Sequence, residues 1–203
     1  MTTISEQQYL FEDLPPIIKH SRTKKDSIPA EFDGIEYLIN NQFRHLFATG
    51  KLTYSDLYYV HAEEGDLTYV PRWARDKFTF LQSSDREHKK INLYVPKLGK
   101  TFDITSNTKQ HVRCCFEFIE ENGCRKLFKN ECDYTLQILE RDNSHWLFCN
   151  RMIERVLNNV PQVLFEEGAW QEIEQDTCTI ALVKPFLLYK YCAEQGVKIK
   201  FNL

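Results

Sequence analysis

"HVRCCFEFIEENGC", residues 111–124, places one histidine and three cysteines within fourteen positions. Its reading, as half of a metal site, a redox device or the buried side of an ordinary helix, sets how the second half of the chain is understood. Val112, Cys115, Phe116 and Ile119 recur at the spacing of one helical face, which predicts a helix over residues 108–122. Asn107 can cap it, Gln110 holds the third helical position, and Gly123 supplies the stop. On that wheel Cys115 lies mid-face, whereas His111 and Cys114 lie at the edge, making Cys114 the expected exposed thiol.

A second helix is predicted over residues 145–159, capped by Ser144 and stopped by Pro161. It carries His145 and Cys149 one turn apart. With His111 and Cys115 on a facing helix, these four side chains could supply a tetrahedral zinc site. The series Cys124, Cys132, His145, Cys149 is a stretched variant whose first gap of seven residues exceeds the usual finger spacing. Core packing is the favoured reading, because reduced cysteine behaves as a small hydrophobe and these cysteines continue apolar faces. No cofactor is predicted, and zinc is the alternative. His145 at a helix N-terminus would be held neutral by the dipole, which leaves a Cys/His hydrolase as a further alternative.

Working outward, the first thirty residues read as an extended arm, since Pro15, Pro16 and Pro29 forbid a long helix. Leu14, Ile17 and Ile18 in "LPPIIKH" form an apolar docking motif for a protein partner. From Asp33, "DGIEYLINNQFRHLFATG" shows a capping-box spacing at Asp33 and Glu36, an amphipathic face, and Gly50 as terminator. "LYYVHAEEGDLTYVP" predicts a hairpin closed by Pro71; "KFTFLQ", "INLYVP" and "KTFDIT" are further strands. "DYTLQILE" is another, a helix starts at Pro185, and Val197, Ile199 and Phe201 share a terminal strand face. The expected class is α+β: an antiparallel sheet over about residues 57–105 in the middle of the chain. Helices pack with it in a single main domain, residues 31–203.

Some chemistries are excluded by spacing. The seven glycines are never closer than fifteen residues, so neither a dinucleotide fingerprint nor a P-loop is present. Cys-x-x-Cys, His-Glu-x-x-His and Gly-x-Ser-x-Gly are absent as well. An enzyme built on His61, Glu63, Glu64 and Asp66 around one turn, with a divalent metal, leaves no local signature and stays as an alternative. Apolar runs are too short for a membrane span, and seven cysteines without a secretory leader fit a soluble cytoplasmic protein with free thiols.

The net charge of −3 conceals blocks. Residues 72–113 hold 10 basic and 4 acidic groups, whereas residues 117–176 hold 6 basic and 13 acidic. Within the basic block, cations interleave with aromatics, the pattern that neutralises phosphates and stacks bases. Arg72, Trp73, Arg75, Arg86, Lys89 and Lys90 are the expected nucleic-acid contacts. The functional expectation is an intracellular binding protein that meets nucleic acid, or an acidic protein surface, through this segment. A protein-interaction regulator with no nucleic-acid role is the alternative from a different class.

Overall fold

In the computed structural model, residues 30–61, 70–82, 89–107, 112–166, 168–196, 199 and 201 are described. The chain is a mixed helix-and-sheet protein, rich in sheet, with ten strands in two sheets among those residues. No helix among them is long and apolar enough to cross a membrane.

The first helical segment is α1 (Ala30–Tyr37), a π turn (Leu38–Gln42) and α2 (Arg44–Ala48). The helix starts before the predicted cap, so Asp33 sits in its first turn with Glu31, where carboxylates favour the dipole. In the π turn the Phe43 N–H reaches back to the Leu38 carbonyl at 2.8 Å. That extra residue per turn lets Phe43 bury alongside Ile35, Leu38, Ile39 and Leu46.

The larger sheet comprises β1 (Tyr58–His61), β2 (Thr79–Gln82), β3 (Leu93–Val95), β4 (Lys100–Asn107), β7 (Tyr134–Leu139) and β8 (Ser144–Cys149). Its order is β2-β1-β3-β4-β7-β8. The strands predicted around Tyr58–His61, Thr79–Gln82, Leu93–Val95, Lys100–Asn107 and Tyr134–Leu139 are present, but the sheet is not purely antiparallel and does not end near residue 105. β1 pairs with β2 in parallel, β4 with β7 in parallel, and two strands come from the second half of the chain. After Pro71 comes a short helix, α3 (Arg72–Arg75), within the span expected to be sheet. The second half of the predicted hairpin, residues 62–69, lies outside the described residues, as does the arm of residues 1–29.

The smaller sheet holds β5 (Cys114–Glu121), β6 (Cys124–Leu127), β9 (Trp170–Glu174) and β10 (Thr179–Val183), in the order β6-β5-β10-β9. Here the opening stretch is corrected from Val112 onward: β5 and β6 form a hairpin where a helix was predicted, and residues 108–111 lie outside the described set. Cys114, Phe116 and Phe118 are buried in alternation with Cys115, Glu117 and Ile119, a period of two. Asn122 and Gly123 both have positive φ (52° and 74°), so they form the hairpin turn and do not end a helix. The second predicted helix is corrected as well. Ser144 follows a turn whose Asp142 carboxylate accepts from its N–H (3.1 Å) and hydroxyl (2.6 Å). The chain then runs through β8 before α4 (Asn150–Asn158) begins. A short α5 (Gln162–Glu166) follows, and α6 (Pro185–Glu194) starts at its proline as predicted.

β7 and β8 are covered on both sides. Leu136, Ile138 and Leu147 pack with Phe32, Ile35 and Phe102 in an inner core roofed by α1, to which Phe201 near the C-terminus also belongs. Ile199 packs against that core; residues 197, 198 and 200 of the predicted terminal strand lie outside the described set. On the outer face Leu139, Trp146 and Phe148 pack with Phe116 and Phe118 of β5, Val183 of β10 and Ile153 of α4. Gly34 marks the closest approach of α1 to the sheet, since a Cβ there would meet Ile104 Cγ2 at 2.5 Å and Leu136 Cδ2 at 3.0 Å.

Candidate functional site

The basic block is split by the fold. Lys89 pairs with Glu131 (3.2 Å), Lys90 with Glu117 (2.7 Å) and Lys100 with Asp133 (3.0 Å), so acids from the following block meet these lysines in space. The hydrogen bond to Asp133 raises the Lys100 ammonium above its ordinary pKa, against a smaller opposing effect of burial. Trp73 is not the exposed stacking ring expected of it. It packs edge-on against Phe32 (6.3 Å) and Phe78 (5.5 Å) beside the inner core. Arg86, Leu14, Ile17 and Ile18 lie outside the described residues.

Other cations collect at one end of the larger sheet, where β1 and β2 begin and β3 ends. Exposed Arg72 and Arg75 stand on α3, which leads into β2. Lys77 Nζ lies 4.6 Å above the Tyr54 ring. Lys97 donates to Asp56 Oδ2 (3.0 Å) and to the Lys51 carbonyl (3.3 Å). Although burial opposes it, bonding to Lys97 and Thr53 holds the Asp56 carboxyl below its usual pKa. At the same end, on the face opposite the inner core, Tyr58 of β1 and Tyr94 of β3 are cross-strand partners. Both are partly exposed, with rings perpendicular (81°) and centroids 6.2 Å apart. Thus Arg72 and Arg75 stand on α3, apart from Lys89 and Lys90, which meet Glu131 and Glu117.

The proposed zinc ligands do not form helical pairs. His111 lies outside the described residues, Cys115 is on β5, and His145 and Cys149 are on β8. His145 stacks on Tyr37 at 4.5 Å with a 6° tilt, and its Nε2 stands 3.4 Å from Asp33 Oδ2 at an angle that makes no hydrogen bond. Among the described residues no three His, Cys, Asp or Glu side chains gather to hold a metal. All seven cysteines are free thiols. Cys114, expected at the surface, is fully buried because strand parity turns it inward; the exposed thiol is Cys124. Burial pushes the thiols of Cys114, Cys115 and Cys132 upward and that of Cys192 to about 11, which opposes nucleophilic use. His61 is buried on β1, and Glu63, Glu64 and Asp66 lie outside the described residues.

A site absent from the sequence reading lies between the two sheets. A cavity of about 230 Å³ is floored by the outer face of β4 and β7 and walled by β5, β6 and β10. Asp103, Thr135 and Gln137 on its floor are at most 4% exposed. Asn130 Nδ2 donates to Asp103 Oδ2 (2.8 Å) and Thr135 Oγ1 (3.2 Å). Gln137 bridges the sheets: its Oε1 accepts from the Cys115 N–H (2.9 Å) and from Asn107 Nδ2 (2.8 Å), and its Nε2 donates to the Cys115 carbonyl (2.5 Å). Thr105 Oγ1 is buried without a hydrogen-bond partner. Phe116, Leu127, Phe128 and Ile180 supply apolar wall. The sequence signal was present but ambiguous. Asp103, Thr105, Thr135 and Gln137 alternate with apolar neighbours, which reads as a solvent-facing row unless a second sheet covers it.

Compared with protein-family models, curated proteins and solved structures, the chain matches none.

Proposed function

We propose that the protein works by binding single-stranded nucleic acid, RNA or DNA, over the end of the larger sheet where β1 and β2 begin. The observation that carries this reading is the partly exposed Tyr58–Tyr94 pair on the face opposite the inner core, at the same end of the sheet as Arg72, Arg75 and Lys77. Aromatic rings on a sheet accept unstacked bases, and a rim of cations holds the phosphates. The reading moves the expected contacts. Arg72 and Arg75 are kept, Lys77 joins them, and the tyrosines take the stacking role once given to Trp73. Lys89 and Lys90 are left to their carboxylate partners. The free thiols support a cytoplasmic setting, where cysteines stay reduced.

The test is fluorescence anisotropy of labelled single-stranded RNA and DNA across a salt series. Each phosphate contact contributes a salt slope of about 0.7 for a single strand, so reversing Arg72, Arg75 and Lys77 to Glu should flatten it by about 2. Tyr58→Ala or Tyr94→Ala should weaken binding by about tenfold, since a stacked base contributes about 1–3 kcal/mol. Binding unchanged in both sets of variants would overturn the proposal. A nuclease-insensitive, stoichiometric protein complex would favour the protein-interaction class instead.

A further inference from the structure

We infer that Cys149, Met152 and Cys192 form a binding site for a single copper(I) ion. Cys149 ends β8 and stands immediately before α4, and Met152 follows three residues later, so the two side chains lie one turn apart on one side of the helix. Cys192 comes from α6, and all three pack with Phe148 and Ile153 in one core. They line a single cavity of about 20 Å³, walled otherwise by Leu147, Phe148, Ile153, Ile199 and the ring of Tyr189. That volume has room for one water-sized body and for no organic ligand, which points to an ion. Cys149, the half-buried member of the set, gives the ion its way in from solvent.

Donor type selects the ion. Thiolate and thioether sulfurs are soft ligands that favour copper(I), whereas zinc is borderline and takes four ligands. Among the described residues no imidazole, carboxylate or amide side chain lines the cavity. Two thiolates and one thioether make a three-sulfur set, which leaves zinc one ligand short. Methionine completes the set, which is why no trio of His, Cys and acidic side chains marks the place among the described residues. The two thiols also sense each other: burial, and after it the neighbouring Cys149, hold the Cys192 thiol up to about 11. Copper(I) therefore displaces a proton from Cys192 at neutral pH, so affinity rises with pH, by about tenfold per unit for that proton alone. This site is separate from the proposed nucleic-acid surface and does not depend on it.

The experiment is anaerobic titration of the full, reduced chain with copper(I) against the chromophoric chelator bicinchoninate, with zinc(II) as the comparison ion. The chain should withdraw one copper(I) ion from the chelator, bind zinc(II) far more weakly, and hold copper(I) at least about tenfold more tightly for each unit of rising pH. Cys149→Ser should abolish the withdrawal. Met152→Leu, a nearly volume-conserving change, should fold as the parent does. It should lower copper(I) affinity by at least the roughly tenfold that loss of an outer-shell partner costs a metal site. Cys124→Ser, which removes the exposed thiol, should change nothing. In protein grown with selenomethionine, X-ray absorption at the copper edge should show a copper–selenium contact that Met152→Leu abolishes. No withdrawal from the chelator, or zinc(II) held as tightly as copper(I), would overturn the assignment. So would an unaltered affinity in Met152→Leu, a copper spectrum without the selenium contact, or copper lost with Cys124→Ser.

Discussion

Single residues show how tightly this fold is specified. Gly34 lies in α1, where alanine would be the better helix former by about 1 kcal/mol. A methyl there would nevertheless press on Ile104 Cγ2, a branch that cannot swing away, and on Leu136 and Ile138 behind it. Overpacking of this kind costs about 1–3 kcal/mol, enough to outweigh the propensity gain. Gly34→Ala is therefore expected to lower the urea midpoint, whereas Ala substituted at exposed Glu36 on the same helix should leave it nearly unchanged. The sequence contained Gly34 but not its reason, because an unremarkable glycine inside an amphipathic helix looks the same whether or not a strand lies against it. The same holds for Cys114, whose place at the surface or in the core depended on one choice between periods of 3.6 and 2.

At the scale of elements, the error in the opening stretch and the error after Ser144 have one cause. "VRCCFEFIEENG" satisfies a helical template at Val112, Cys115, Phe116 and Ile119 and a strand template at Cys114, Phe116 and Phe118. Short apolar runs often satisfy both. The arbiter was Asn122-Gly123, a pair suited to the left-handed conformations of a type I′ turn, with Glu121 and Cys124 as the closing partners. Gly123→Ala tests this. At φ 74° an added Cβ is strained, so destabilisation of about 1 kcal/mol is expected from chemical denaturation, with loss concentrated in β5–β6 amide protection. Were the glycine merely past a helix end in a relaxed loop, protection along residues 124–127 would not change. The strands of the first half were readable because their alternation is clean and proline or glycine bounds them. The helix from Pro185 was readable because proline is favoured at a first turn.

For the whole molecule, the joint between the sheets is decided by polar groups. Gln137, 3% exposed, takes both backbone groups of Cys115 and one donor of Asn107, tying β7 of one sheet to β5 of the other. Gln137→Leu keeps the volume but strands a backbone donor and acceptor, at about 1–3 kcal/mol each. Equilibrium unfolding should show a loss of about 2–4 kcal/mol; a variant as stable as the parent would mean that the bridge carries no energy. Charge is redistributed at this scale as well. The basic block and the acidic block after it are adjacent in sequence and interdigitated in space through Lys89–Glu131, Lys90–Glu117 and Lys100–Asp133. Such partly exposed pairs contribute little stability, about 0–1 kcal/mol each. Their consequence is for recognition: they engage Lys89, Lys90 and Lys100, whereas Arg72, Arg75 and Lys77 stand near the Lys97–Asp56 pair at the end of the sheet where β1 and β2 begin.

The sequence by itself determined what depends on near neighbours along the chain. It specified the amphipathic start of the helical segment, the β-prone runs from Tyr58 to Thr105, the strand at Tyr134–Leu139, the proline-led last helix, and the absence of phosphate-loop and Cys-x-x-Cys motifs. Tertiary structure alone decided which strands became neighbours, so that β7 and β8 entered the larger sheet beside β4 in place of ending a separate unit. It also decided that the alternating polar row of Asp103, Thr105, Thr135 and Gln137 faces a second sheet and a cavity instead of water. The physical reason is the range of the forces. Dihedral preference and periodicity act over a few residues, whereas burial depends on what arrives from elsewhere in the chain to cover a face, and no local pattern encodes that partner.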